Sequence, residues 1–175
     1  MKTFKNSFYL LLIFLCFSSC GIYSFTGASI SPDIKTISIQ TFFNNATLGP
    51  SNMSQLFTEA IKDYYQQNTS LVLVPEEGDL QLDGSIESYT LSPVAPQASN
   101  DPNGIDFSSL TRINISVKAQ YFNTKDDTFN FDRSFSFFKD FDQNATDLSS
   151  NEEAFVQEIF EQIILDIFNA SVANW

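Results

Sequence analysis

Strict alternation is the first regularity along the chain. From Arg112 to Tyr121, Ile113, Ile115, Val117, Ala119 and Tyr121 fall on one side and Arg112, Asn114, Ser116, Lys118 and Gln120 on the other. That is the period of a strand with one dry and one wet face. Ile34 to Phe43 alternates likewise, with Ile37, Ile39, Thr41 and Phe43 expected on one side and Thr36, Ser38 and Gln40 on the other. Leu80 to Leu91 starts in the same rhythm but changes phase between Gly84 and Tyr89, which predicts a strand with a bulge or bend. After a turn at Asn123 to Asp127, Phe129, Phe131, Phe135 and Phe137 share a face and predict the returning strand of a hairpin. Leu71 to Val74 is a short apolar run stopped by Pro75.

Two stretches change to a helical period. After turn residues at Asn44, Asn45 and Gly49-Pro50, the positions Met53, Leu56, Phe57, Ala60, Ile61 and Tyr64 recur at three and four, a single apolar stripe ending near Asn68. Ser150-Asn151-Glu152-Glu153 fits a capping box, in which hydroxyl and carboxylate satisfy the orphan amides of a helix start. Behind it Phe155, Val156, Ile159, Phe160, Ile163, Ile164, Ile167 and Phe168 form a broad stripe opposed by Glu158, Glu161, Gln162 and Asp166. The order strand, helix, strand, strand, strand, helix predicts an α+β fold: a two-layer α/β sandwich whose mixed four-stranded sheet carries both helices on one face. The first strand-helix-strand unit is long enough for a parallel, right-handed crossover. The other sheet face, with Arg112, Asn114, Ser116 and Lys118, is then left uncovered by this chain.

The beginning of the chain reads as an export signal. Lys2 and Lys5 precede the unbroken apolar run Phe8 to Phe17, which as a helix spans about 15 Å, half a hydrocarbon core. Phe17-Ser18-Ser19-Cys20-Gly21 then resembles a relaxed bacterial lipobox, implying cleavage before Cys20, a diacylglyceryl thioether on its sulfur and acylation of the new amino terminus. An ordinary signal peptide cut near Ser19 is the competing reading, but it leaves a lone thiol in an oxidising compartment without a purpose. The expected division is a cleaved signal at 1–19, a lipidated linker at 20–33 and one α/β domain at 34–175. Cys16 leaves with the signal, so no internal disulfide is expected. In the bacterial lipoproteins that this segment most resembles, an acidic run after the cysteine marks export to the cell surface; none follows Cys20, so a periplasm-facing anchor is expected.

Composition removes whole classes of chemistry. There is no histidine among the 175 residues, so every Ser-His-Asp or Cys-His triad and most zinc sites are excluded. The formal charge of −12 becomes −14 once Lys2 and Lys5 leave, and it repels phosphate backbones, against nucleic acid as a partner. No glycine-rich phosphate loop, Cys-x-x-Cys pair or EF-hand spacing is present. The adjacent acids Glu76-Glu77, Asp126-Asp127 and Glu152-Glu153 read as turn and helix-start residues. Asp140, Asp142 and Asn144 hold oxygen ligands in the manner of a calcium loop but read as a turn. Neither an enzyme nor a cofactor is expected. Five of the mature chain's seven cations, Arg112, Lys118, Lys125, Arg133 and Lys139, gather on or beside the hairpin, either as an anion-binding surface or as ordinary strand charge. Ser92 to Ser109, with three of the six prolines, reads as a mobile excursion or a partner-inserting loop; Phe107 and Leu110 at its far end favour contact.

Several segments together resemble the LptE family of lipopolysaccharide-assembly lipoproteins. They are Cys20 to Gly27, Ile34 to Ile39, Gly78-Asp79-Leu80 with Gly84 and Ile86, Arg112 to Ile115, and the end at Asn174-Trp175. The resemblance covers essentially the whole mature chain and implies the same two-layer sandwich. It also implies an outer-membrane lipoprotein that plugs the lumen of the LptD β-barrel and assists lipopolysaccharide delivery to the outer leaflet, without catalysis. Basic residues are the family's proposed glycolipid ligands, whereas this chain is acidic; Arg112 and Lys118, both on the uncovered face, are the candidates for that contact. The alternative is an auxiliary lipoprotein of an envelope-spanning transport complex that never binds lipopolysaccharide.

Overall fold

A long antiparallel ribbon forms the middle of the molecule. In the computed structural model, which describes residues 30–94 and 110–172, strands β4 (Leu80–Pro93), β5 (Leu110–Asn123) and β6 (Phe131–Asp142) pair in succession. A 3-10 turn at Asp127–Phe129 leads into β6. On the far side of β4 lie β1 (Thr36–Ile39), β2 (Phe43–Asn44) and β3 (Val72–Val74), all in parallel pairings. Helix α1 (Met53–Asn68) connects β2 to β3, and α2 (Leu148–Ser171) follows β6. The fold is α+β with two helices and a mixed sheet, as the pattern predicts.

The sheet has six strands, not four, in the order β3-β1-β4-β5-β6 with β2 also on β4. Two causes account for the difference. Val72–Val74 is only three residues long and becomes a strand through its parallel register on Thr36 to Ser38. The expected strand Ile34 to Phe43 is broken. Phe42 turns into the core and is fully buried, while Thr41 and Phe43, expected inside, are exposed. The break is held by α1: Phe42 N donates to Thr58 Oγ1 at 3.0 Å and Ser54 Oγ donates to the Phe42 carbonyl at 2.7 Å. Gly84 makes room for the Phe42 ring, since a Cβ there would lie 2.7 Å from Phe42 Cε1 and 2.1 Å from the Lys118 carbonyl. The bulge itself falls between Ile86 and Ser88 and returns Tyr89 to the inner face.

Other boundaries shift for local reasons. Phe129 belongs to the 3-10 turn, and β6 continues to Asp142, so Asp140 and Asp142 are strand and not turn, and of the three oxygen-bearing residues Asn144 alone lies in the turn that follows. Helix α2 starts at Leu148, ahead of the expected capping box. Asp147 precedes it and accepts from the hydroxyls of Ser149 and Ser150, both at 2.7 Å, and Glu152 accepts from the Tyr89 hydroxyl at 2.8 Å. The buried line of α1 is Met53, Phe57, Thr58, Ile61 and Tyr65, rotated from the expected stripe so that Tyr65 takes the place of Tyr64.

One core joins sheet and helices, built from the inner residues of β1, β4 and β5 with α1 and the stripe of α2. Phe57 stands between Phe42 and Phe160, with ring centroids 4.9 Å away on each side. Each fully buried residue of this size stabilises the fold by roughly 1.5–3 kcal/mol before entropy is counted. β1, β4, α2's end and the β5–β6 turn meet where the chain enters at Ile30. The end of β4, the start of β5, the β6–α2 connection and the start of α1 lie at the opposite end, as the strand directions require.

Candidate functional site

The side chains of the central strands that point away from the helices make an open polar surface. On β5 these are Arg112, Asn114, Ser116, Lys118, Gln120 and Phe122. The register sets Asp140, Phe138, Ser136, Ser134 and Asp132 of β6 beside the first five of them. Ser85, Ser88, Thr90 and Ser92 of β4 extend the surface on the other side. Among the described residues, no layer covers it.

Both candidate cations lie on this surface, and each already has a carboxylate partner. Arg112 meets Asp140 in a two-pronged bond, Nε to Oδ1 at 2.7 Å and Nη2 to Oδ2 at 2.8 Å, and its guanidinium carbon sits 3.6 Å from the centre of the Phe138 ring. The hydrogen bonds from Arg112 hold the Asp140 carboxyl below its usual range, and the same bonds raise the guanidinium. Lys118 Nζ lies 3.0 Å from Asp132 Oδ1, whose other oxygen accepts from Gln120 at 3.1 Å. Six residues apart on one strand, Arg112 and Lys118 are separated by about 20 Å, too far to hold one phosphate together. The surface is hydrophilic, carries the exposed Asp83 of β4 beside Gln120 in addition to these two pairs, and is crossed by the exposed rings of Phe122 and Phe138.

The remaining cations of the hairpin do not join them. Lys125 pairs with Asp79 at 3.2 Å where the chain enters, Lys139 pairs with Glu158 on the helix side, and Arg133 stacks over Phe131 and Phe135. The five cations therefore form no single patch.

Asp79 is a structural centre that no local pattern in the sequence reveals, since its partners lie more than forty residues away in the chain. Its carboxylate accepts from the amides of Lys35 and Thr36 at 2.9 and 3.1 Å and from the Thr36 hydroxyl at 3.0 Å. These bonds, with Lys125, hold the carboxyl well below the ordinary aspartate range. The clamp fixes the start of β1 to β4 and to the β5–β6 turn. Beside it is a cavity of about 540 Å³ lined by Ile34, Leu80, Tyr121, Lys125, Phe129 and Val172. Its polar rim is occupied with turn formation: Asn123 Oδ1 accepts from the amides of Lys125 and Asp126, and Asp126 accepts from Thr128.

Cys20 lies outside the described residues, as do the signal segment, positions 95–109 with Phe107, and Asn174-Trp175. Of the expected loop at 92–109, the first residues belong to β4. Among the described residues, no cluster of three acids or cysteines is placed to hold a metal ion, and no helix is long and apolar enough to cross a membrane.

A search among curated proteins finds no match. Among solved structures, the hypothetical protein CT253 of Chlamydia trachomatis is similar, with a TM-score of 0.51 and 12% identity over 81% of this chain and 99% of that one. Lipoprotein B of Nitrosomonas europaea aligns with a TM-score of 0.46 and 8% identity over 85% of this chain and 90% of that one. The rare lipoprotein B of Shewanella oneidensis aligns at 0.40 and 10% over 76% and 89%. The first of these shares the fold. The LptE family model, described as lipopolysaccharide-assembly, matches residues 34–171, from just before β1 to the last residue of α2. The chain belongs to the LptE family.

Proposed function

We propose that this protein is an outer-membrane lipoprotein, anchored through acylated Cys20, that seats as a plug in an LptD-like β-barrel and assists delivery of lipopolysaccharide to the outer leaflet. The observation that carries the reading is the uncovered sheet face. Its two cations are paired with carboxylates of the same face and its hydroxyls and amides suit a wet wall, whereas a lipid-facing surface would have to be apolar. Five strand positions at about 4.8 Å spacing make a sheet roughly 19 Å wide before side chains and helices are added. Small barrels are filled by their own side chains, so only a barrel of some twenty or more strands has room for such a plug.

In this reading the module supplies shape and hydrogen-bonding surface, not chemistry. Lipopolysaccharide phosphates would meet Arg112 and Lys118 separately, each by competing with Asp140 or Asp132, and the signal peptide at 1–19 and linker at 20–33 precede the working domain. The test is co-purification of the native chain from detergent-solubilised envelopes. A stable complex with a large outer-membrane barrel is expected, and it survives Cys20→Ala because the barrel retains the plug when the lipid is gone. Recovery with an inner-membrane ATPase assembly and without a barrel overturns the reading in favour of an auxiliary transport lipoprotein.

A further inference from the structure

The cavity beside the Asp79 clamp contains a buried hydroxyl that the fold leaves unused. Tyr121 lies on the helix side of β5, is 4% exposed and lines the cavity. Its ring stacks on Phe131, yet among the described residues its hydroxyl has no hydrogen-bond partner. No fully enclosed side-chain oxygen or nitrogen among them lacks a partner, so this hydroxyl must reach open space, and the cavity is the space it lines. Its polar neighbours are engaged with one another: Tyr65 bonds Ser171, and Ser171 bonds the Phe168 carbonyl. Burial first, and the nearby Asp126 carboxylate second, push the Tyr121 phenol up to about 12, so it stays protonated. A buried hydroxyl without a partner is costly to keep dry, which marks a place where a polar group of a ligand belongs.

The walls and the rim say what kind of ligand. Ile34, Leu80, Phe129 and Val172 give an apolar lining, and the Phe129 ring is half exposed over it. The volume of about 540 Å³ falls among those of sites for small organic molecules. Lys125, the cation of the lining, is already paired with Asp79. Asp33 and Asp126 also line the cavity, and among the described residues neither has an ion-pair partner. The turn uses Asp126 Oδ1 alone, which accepts from the amide and the hydroxyl of Thr128; these bonds hold the carboxyl below its usual range and keep it charged. We propose that this cavity binds a small amphiphilic amine. Its protonated amino group would donate to the Tyr121 hydroxyl and to Asp126 Oδ2, and its apolar body would pack on Ile34, Leu80, Phe129 and Val172. A lysine stem from another protein would leave most of this volume empty, so the occupant is a free molecule with an aromatic or branched body. The inference goes beyond the barrel reading and does not depend on it.

The probe is 4-phenylbutylamine, titrated calorimetrically into the purified full-length chain without the barrel, with 4-phenylbutanol and 4-phenylbutyrate in the same detergent as controls for micellar uptake. Saturable binding of the amine is expected. The alcohol should bind more weakly, and the carboxylate roughly tenfold or more weakly, because its charge would face Asp33 and Asp126. Tyr121→Phe should weaken the amine by about tenfold or more, the worth of a hydrogen bond to a charged group. It should leave the thermal midpoint unchanged, since no bond within the protein is lost. Asp126→Asn keeps an acceptor for Thr128 and should weaken the amine about two- to fivefold, the worth of an exposed ion pair. The proposal is overturned by absence of saturable binding, by alcohol or carboxylate binding as tightly as the amine, or by wild-type affinity in either variant. A lowered midpoint for Tyr121→Phe also overturns it, because the hydroxyl would then have a partner within the chain.

Discussion

The buried contact between the two helices gives two substitutions that remove one hydrogen bond at unequal cost. Tyr65 is fully buried, and its hydroxyl lies 2.5 Å from Ser171 Oγ near the end of α2. Ser171 uses its own proton on the Phe168 carbonyl at 3.1 Å, so Tyr65 must be the donor and Ser171 the acceptor. Burial raises the phenol above its ordinary value and keeps it protonated at any physiological pH. Tyr65→Phe removes donor and orphan together and leaves Ser171 with its carbonyl partner, which should cost about 0.5–1.5 kcal/mol. Ser171→Ala leaves a dry hydroxyl without an acceptor, which should cost about 1–3 kcal/mol. Adding Tyr65→Phe to Ser171→Ala removes that orphan and should restore part of the loss. Urea unfolding followed by circular dichroism resolves the order: with a slope near 2 kcal/mol per molar, 2 kcal/mol moves the midpoint by about 1 M. A larger loss for Tyr65→Phe than for Ser171→Ala, or a double variant weaker than both single ones, would refute the assignment of donor and acceptor.

The Asp79 clamp makes stability sensitive to acid. Its folded pKa is depressed, so its contribution is complete above the ordinary aspartate value near 4 and disappears as pH falls through the lower folded value. Asp79→Asn should therefore flatten the acid limb of a melting-temperature profile, and a wild-type slope below pH 4 would contradict the clamp. Gly84→Val should destabilise by about 1–3 kcal/mol or prevent folding, since even a Cβ collides with the Lys118 carbonyl; an unchanged thermal midpoint would show that Phe42 does not sit over this residue. Reversing charge at Arg112 and Lys118 together should weaken capture of lipopolysaccharide by the intact complex, and unchanged capture would remove both residues from that role.

Elements with enough repeats of their period were legible in the sequence. β5 alternates without fault through ten residues, and the inner stripe of α2 is the one its spacing predicts. The open face followed from the same alternation, so Arg112 and Lys118 were placed on the correct side. Their partners were not legible, because Asp140 and Asp132 meet them only through the register of the hairpin. Asp140 has the local pattern of a turn residue, and its strand position is fixed by pairing with Arg112. β3 is too short to show a period and exists through contact with β1. The break at Thr41–Phe43 inverts the expected faces because one large ring finds space over Gly84, a fact of packing absent from local pattern. Asp79 joins segments 43 and 44 residues apart, and no local signal beyond Gly78-Asp79 at a strand start marks it.

Site-specific photocrosslinking from the centre of the open face tests barrel seating most directly. With a photoreactive residue in place of Ser116, between Arg112 and Lys118 along β5 and among the hydroxyls of its neighbours, irradiation of living cells should yield one heavy adduct containing the barrel subunit. Irradiated envelopes in which Ser116 gives no barrel adduct, while the protein remains folded and membrane-bound, would contradict the account.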